Sequence, residues 1–463
     1  MKSIVLFLAL LLSSLVAFAQ SSLTPQQTSQ IDQLVGKVLA ERGVPSASIA
    51  AVKDGKLVFA KGYGQGRLSP AMASTPETRY AVGSISKQFT AAALLMLQQE
   101  GKLSIDDPVG KYMPDLTRAN EVTIRELLSH TSGYQDYYPQ DYVPEFMQHP
   151  TTTAHILDTW AKRPLDFDPG TKWQYSNTNY VIAGAIAEKV SGEPIFQLLN
   201  RRIFQPLGMK SVFDIDHNQP AAADALGYFS YGDGPNRVQP KEGDGWLFAA
   251  GELDMTASDL MKWDIAMMNE SLLQPASYKQ METVVLLKNG ESTGYGLGVD
   301  IGSWEGHRAI NHSGEVSGYT AMNAVLPDDH LAVAVQTNKM AGTAAGPIAR
   351  GVVHILLSSL TGENTQAEDR ARTILDEFQS GKIERSQFSE DCNQYFDATA
   401  LHDYQATLAN LGQPESVKIN GEDQRGGMTF RALTAQYANK QFTITEYELP
   451  DGKLEQFLLL PRD

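Results

Sequence analysis

Apolar residues recur at helical spacing near the start of the chain, where Ile31, Leu34, Val35, Val38 and Leu39 follow Thr24-Pro25. Thr24 and Pro25 suit an N-cap and a first turn, so the pattern predicts an amphipathic helix over residues 23–42. A different period then takes over. Residues 47–52 are apolar throughout, and residues 57–60 follow after Lys53-Asp54-Gly55-Lys56. This predicts a β-hairpin with Asp-Gly in its turn and a central first strand. Gly62-Tyr-Gly-Gln-Gly66 is followed by no Gly-Lys-Ser/Thr and no helix start, so it reads as a strand end or loop and not as a phosphate loop.

Within the stretch from Arg79 to Leu97 a strongly helical run opens at Ser84 and Lys87, and Gly101 ends it. Residues 105–280 then carry many helix signals and few alternating stretches, which predicts a helical insertion. Asp106-Asp107-Pro108 opens one segment, Thr123 caps another, and residues 179–190 form an Ala-rich helix ended by Ser191-Gly192. Residues 132–150, with Tyr134, Tyr137, Tyr138 and Tyr142, fit either the wall of a cleft or a surface loop. Short strands return at residues 296–301, 309–312, 319–326 and 331–336, an antiparallel meander, before a helix over 348–360. Hairpin and meander together predict one sheet with the first and last helices packed on it, an α+β fold. The polar run from Thr361 to Asp369 reads as a linker. Beyond it, a helix at 367–378, one or two more within 388–411 and a strand-rich run from 417 to 460 predict a small α+β domain. The expected organisation is 1–19, 20–362 and 363–463.

The 463 residues are 42% hydrophobic and 20% charged, enough for a sizeable core. The formal net charge of −16 argues against nucleic acid and against anionic lipid as partners. Lys2, the apolar run from Ile4 to Val16 and Ala17-Phe18-Ala19 read as a signal peptide cleaved before Gln20, implying an exported, periplasmic or secreted protein. No later segment has the length of a membrane span. Cys392 stands alone, which excludes an intrachain disulfide and a cysteine-cluster metal site; it reads as a packed thiol.

Candidate chemistry begins at Ser84-Ile-Ser-Lys87. Residues three apart share a helix face, so the Lys87 amine can reach the Ser84 hydroxyl and accept its proton. Alone, such a short pattern is far more often a helix cap followed by a solvated lysine. Tyr175-Ser-Asn177 lies in a turn-rich loop; a phenol near a lysine cation can have its pKa lowered and shuttle protons, and an amide can orient a carbonyl. His312-Ser313-Gly314 ends a strand of the meander, where glycine permits close approach of a ligand backbone. An isolated histidine defaults to an unrelated surface residue, and that default covers the other eight.

In order, Ser84-x-x-Lys87, Tyr175-x-Asn177 and His312-x-Gly314 resemble the three signature motifs of the serine β-lactamase and penicillin-binding-protein superfamily, its class C-like branch in particular. Leu128-Ser-His-Thr-Ser-Gly133 and Pro169-Gly-x-x-Trp173 are similar to that branch as well. The resemblance, from about Val52 to Leu360, implies the β-lactamase/transpeptidase-like sheet and an acyl-enzyme mechanism. Ser84 would be the nucleophile, Lys87 and Tyr175 would manage its proton, and Asn177, His312, Ser313 and Gly314 would bind substrate. The backbone N–H groups of Ser84 and Glu315 would hold the oxyanion. It implies no metal and no cofactor.

Two departures bear on substrate. His312-Ser-Gly replaces the Lys-Thr-Gly of typical β-lactamases in the branch, and related D-amino-acid peptidases and some carboxylesterases carry histidine there. Glu252 stands where relatives show Gly-Gly-Leu, and a carboxylate near the cleft would disfavour anionic substrates. The C-terminal segment faintly resembles NTF2-like folds and points to a stabilising or partner-binding role. The reading is an exported serine hydrolase acting on an ester, a small amide or a D-amino-acid peptide. A true β-lactamase and a non-catalytic peptide- or partner-binding module are the alternatives.

Overall fold

The computed structural model describes residues 23–341, 343–357 and 362–462. The signal-peptide expectation at 1–19 lies outside them. The chain divides into two compact units between Ile355 and Leu356.

In the first unit, helix α1 (Pro25–Arg42) starts at a capping box between Thr24 and Gln27 and buries Ile31, Val35, Val38 and Leu39. The hairpin follows as β1 (Ser46–Lys53) and β2 (Lys56–Leu68), turned by Asp54 and Gly55, both with positive φ. β2 runs through the whole Gly62–Gly66 segment and turns into β3 (Ala71–Ala73). Ser84 lies in a single 3₁₀ turn, Gly83–Ile85, that feeds helix α2 (Ser86–Gln99). The predicted helical insertion includes α3 (Asn177–Ser191), which begins two residues earlier than its pattern suggests and stops at Gly192 in the left-handed region, and α4 (Ala257–Met268).

The late meander forms as β4 (Asp300–Trp304), β5 (His307–Val316), β6 (Tyr319–Leu326) and β7 (Leu331–Thr337). All pairings are antiparallel, and the seven strands lie in the order β3-β2-β1-β7-β6-β5-β4. β1 is therefore central and buried from Ser46 to Val52. Ala50, Val52, Ala332 and Ala334 join the core built with α2, α3 and α4, while the alternate Ile49, Ala51, Val333 and Val335 are buried on the other face. α5 (Ala345–Leu357) lies against α1, with Gly351 against the Leu34 side chain.

Two strand limits differ from expectation. The strand expected from residue 296 starts only at Asp300, because Gly298, at φ +78°, lies against the Lys87 carbonyl and bends the chain. His312-Ser-Gly314 does not end its strand; β5 continues to Val316.

The second unit opens with α6 (Gly362–Ser380), so the polar run expected to be a linker forms the first turns of a helix. α7 (Glu390–Tyr395) and α8 (Ala398–Leu408) follow, and then β8 (Ser416–Arg425), β9 (Met428–Tyr437), β10 (Lys440–Glu448) and β11 (Leu454–Arg462) pair as an antiparallel meander. Its core holds Phe378, Phe388, Phe396, Tyr437, Phe442 and Phe457. Cys392 is packed among them, and burial pushes its thiol up to about 11.

Candidate active site

Two glycines let strand β5 touch the turn that carries Ser84. A Cβ on Gly314 would fall 1.9 Å from the Val82 carbonyl oxygen and 3.3 Å from the Ser84 nitrogen. A Cβ on Gly83, which has φ +52°, would fall 2.7 Å from the Glu315 nitrogen. β4 pairs with β5 only as far as Asn311↔Asp300, so beyond Asn311 that edge of β5 carries no strand of the sheet and is packed against the Ser84 turn. The backbones of Ser84 and Glu315 are thereby brought together at the floor of a cleft of about 930 Å³.

Lys87 is fully buried beneath this floor. Its Nζ lies 2.8 Å from each of Ser84 Oγ, Asn177 Oδ1 and the Ala250 carbonyl oxygen. It also sits over the rings of Tyr175 and Tyr180, at 4.9 and 5.4 Å from their centroids. Among the described residues no carboxylate touches it. Burial lowers its pKa to about 7, with the nearby charge of Asp136 acting the other way. A neutral amine here donates its two hydrogens to Asn177 Oδ1 and the Ala250 carbonyl and turns its lone pair to the Ser84 hydroxyl.

The phenol behaves opposite to expectation. Tyr175 hydrogen-bonds Ser84, but burial raises its pKa well above the ordinary phenol value, so it stays protonated. His130 stacks behind it at 4.2 Å between ring centroids and accepts a hydrogen bond from the Ser176 backbone at 3.2 Å. Burial also holds His130 far below its usual pKa. His312 is buried too: its Nε2 meets the Tyr295 hydroxyl at 2.7 Å, and its Nδ1 meets the Ser313 carbonyl at 2.5 Å. Burial, with Lys87 nearby, lowers it to about 3, so a neutral ring occupies the place of the lysine cation in the third motif. Neither His130 nor His312 is the surface residue that an isolated histidine suggests.

Asn177 opens α3, and its side chain is turned inward. Its Oδ1 accepts from Lys87, while its Nδ2 donates to Asp136 Oδ2 and to the Tyr138 carbonyl, both at 3.3 Å. Asp136 is missing from the sequence-derived set. Its Oδ1 accepts from the Asn177 and Tyr138 backbone nitrogens at 2.9 and 3.1 Å, and burial raises its pKa. The one signal for it was its position as the only acid between Ser132 and Gln140. The Tyr-rich segment does form a cleft wall, through residues 136–141.

Glu252 does not face the cleft. It is 2% exposed, and its Oε2 accepts from the Ala249 backbone nitrogen at 2.8 Å. Burial raises it well above the carboxylate range. It braces the turn whose Ala249 and Ala250 carbonyls accept from Thr90 Oγ1 and Lys87 Nζ. Among the described residues, no group of three or more His, Cys, Asp or Glu side chains is placed to hold a metal ion, and no helix is long and apolar enough to cross a membrane.

An antiparallel sheet that presses a strand edge against a Ser-x-x-Lys turn, with tyrosine and asparagine opposite, defines the class of active-site-serine hydrolases in which a buried lysine serves the serine. The family model described as Beta-lactamase matches residues 31–357, and the chain belongs to that family. The chain is 28% identical over 333 residues to a putative penicillin-binding protein, PbpX, of Bacillus subtilis (strain 168), covering 71% of this chain and 80% of that one. It is similar to the octameric penicillin-binding protein homologue from Pyrococcus abyssi, at 25% identity and TM-score 0.65 over 94% of this chain and 96% of that one. It is also similar to a D-stereospecific amidohydrolase from Streptomyces sp., at 28% identity and TM-score 0.59 over 67% and 94% of the two chains.

Proposed function

We propose that the chain is an exported serine hydrolase that cleaves small esters or amides, among them D-amino-acid amides and short D-peptides, through an acyl-enzyme on Ser84. The observation that carries this reading is the environment of Lys87, whose amine is buried among uncharged acceptors and within 2.8 Å of Ser84 Oγ. Ser84 Oγ attacks the substrate carbonyl carbon as its proton passes to Lys87, and the oxyanion is held by the Ser84 and Glu315 N–H groups. Tyr175 donates its proton to the departing amine or alkoxide and recovers one from the Lys87 ammonium, which leaves a neutral Lys87 and the acyl ester. Water then attacks the ester and yields its proton through the same two groups. Ser84 is released with its hydrogen, and the product is a carboxylic acid.

Similarity to the D-stereospecific amidohydrolase supports the amide side of this reading. The neutral His312 weighs against a β-lactamase, because no cation stands in the third motif to meet a drug's carboxylate. Residues 1–19 support export; cleavage before Gln20, read by N-terminal sequencing of protein recovered outside the cytoplasm, is the expected result.

The test of the mechanism is intact-protein mass after exposure to a fluorophosphonate and, separately, to a penicillin, for the wild type and Ser84→Ala. A fluorophosphonate adduct on the wild type alone is expected. Absence of any adduct would favour the non-catalytic binding module, and rapid turnover of the penicillin would favour a β-lactamase.

A further inference from the structure

The cleft is lined by four carboxylates, Asp136, Asp141, Asp300 and Glu315, and by no lysine or arginine among its described residues. Three of the four are accounted for. Asp136 is held by Asn177 and Tyr138, Glu315 accepts from the Ala341 nitrogen at 2.9 Å, and Asp141 is exposed. Asp300 is different. It is half-buried at the first residue of β4, and its carboxylate makes no hydrogen bond or ion pair among the described residues; burial alone acts on it. It pairs across the sheet with Asn311, next to His312, and its charge reaches Tyr175, the phenol that bonds Ser84. A half-buried carboxylate without a protein partner inside a cleft is costly to keep ionised, and a counter-charge on a ligand would relieve that cost.

We infer that Asp300 and Trp173 form a subsite for a cationic group of the substrate, so that the preferred esters or amides carry a free ammonium near the scissile carbonyl. Trp173 lines the same cleft and stays 39% exposed. Its ring lies 6.0 Å from that of Tyr295, which is the backbone bridge partner of Asp300, so Tyr295 links the two and all three line the same cleft. An aromatic face beside a carboxylate attracts an ammonium by cation–π and Coulomb terms together, and partial burial strengthens both. The same charges repel a substrate carboxylate, which adds discrimination against anionic acyl compounds.

This inference rests on the hydrolase reading of Ser84, and its test separates the two. On the full chain, kcat/KM is measured for amino-acid p-nitroanilides of both configurations with a free α-ammonium and for their N-acetyl counterparts. The proteins compared are the wild type, Asp300→Asn, Asp300→Glu and Trp173→Leu, with fluorophosphonate labelling of Ser84 as a separate report on the nucleophile. The wild type is expected to favour the free amine by about tenfold or more. Asp300→Asn brings that ratio to about one, chiefly through KM, while Asp300→Glu keeps a preference and Trp173→Leu lowers it in part. Labelled wild-type enzyme with no preference for the free amine, or an unchanged ratio in Asp300→Asn, overturns the subsite alone. Wild type that takes no label overturns the hydrolase reading and the subsite with it.

Discussion

Both units of this chain bury a basic side chain, and they treat it in opposite ways. In the C-terminal unit Arg431 is 4% exposed and meets Glu422 at 2.6 Å and Glu446 at 3.1 Å, with Glu448 bonded as well. Arg370 closes the network at 2.9 Å from both Glu446 and Glu448. Burial by itself would lower the Arg431 pKa, but the three glutamates outweigh it and hold it above its ordinary value. The guanidinium is permanently charged and chemically inert. In the catalytic unit Lys87 is fully buried but surrounded by a hydroxyl, an amide oxygen and a peptide carbonyl. Dipoles solvate an amine without pinning its charge, so desolvation wins and the group titrates near neutrality. Buried charge met by opposite charge is fixed in place; buried charge met only by dipoles is more easily given up.

The sharpest break of this contrast is Lys87→Arg. If Lys87 acts as a neutral base, an arginine that keeps the positive charge but does not deprotonate should reduce kcat by about 10³-fold or more, as severely as Lys87→Ala. Retained turnover in steady-state assays would mean that the charge alone suffices. On the structural side, Arg431→Leu leaves Glu446, which is fully buried, with one arginine fewer. A loss of about 3–5 kcal/mol in urea-unfolding free energy is expected for the C-terminal unit. A loss below about 1 kcal/mol would place this network with weak surface pairs.

Two milder tests use protons. Log kcat/KM should rise by about one per pH unit below pH 7 and level off above it, as Lys87 loses its proton in the free enzyme. Stability depends on the same proton. The folded pKa of Lys87, about 7, lies below its unfolded value of about 10.4, so between these values the unfolded chain binds more protons. Its contribution to the unfolding free energy therefore rises with pH across that window. Comparison of urea midpoints for the wild type and Lys87→Met should show that slope in the wild type alone. The smallest effect is expected at Glu252→Gln. Burial pushes this carboxyl toward its neutral form, and glutamine retains an acceptor for the Ala249 nitrogen, so the unfolding free energy should change by less than about 1 kcal/mol. A large loss would show that Glu252 is ionised in the folded state.

Much of the architecture was legible because it is carried by local periodicity. The Asp54-Gly55 turn, the even burial of β1, the Thr24 cap and the order of the three motifs all follow from neighbours in the chain. The limits that slipped did so under contacts from elsewhere. Gly298 bends against the Lys87 carbonyl and delays β4, and β5 continues past Gly314 because its edge rests on the Val82–Ser84 backbone.

What the sequence determined by itself was which residue types stand at Ser84, Lys87, Tyr175, Asn177 and His312, and on which local elements they fall. Their ionisation was decided only by the tertiary structure. The two carbonyl partners of Lys87 lie 90 and 163 positions along the chain, at Asn177 and Ala250. Asp136, Tyr295 and Asp300 likewise enter the site from segments with no recognisable motif. A pKa is set by the solvent removed and by the dipoles and charges that replace it, and these arrive from distant elements that local sequence does not connect. The same principle made Tyr175 a protonated phenol and His312 a neutral ring, where spacing alone suggested a lowered phenol and a surface histidine.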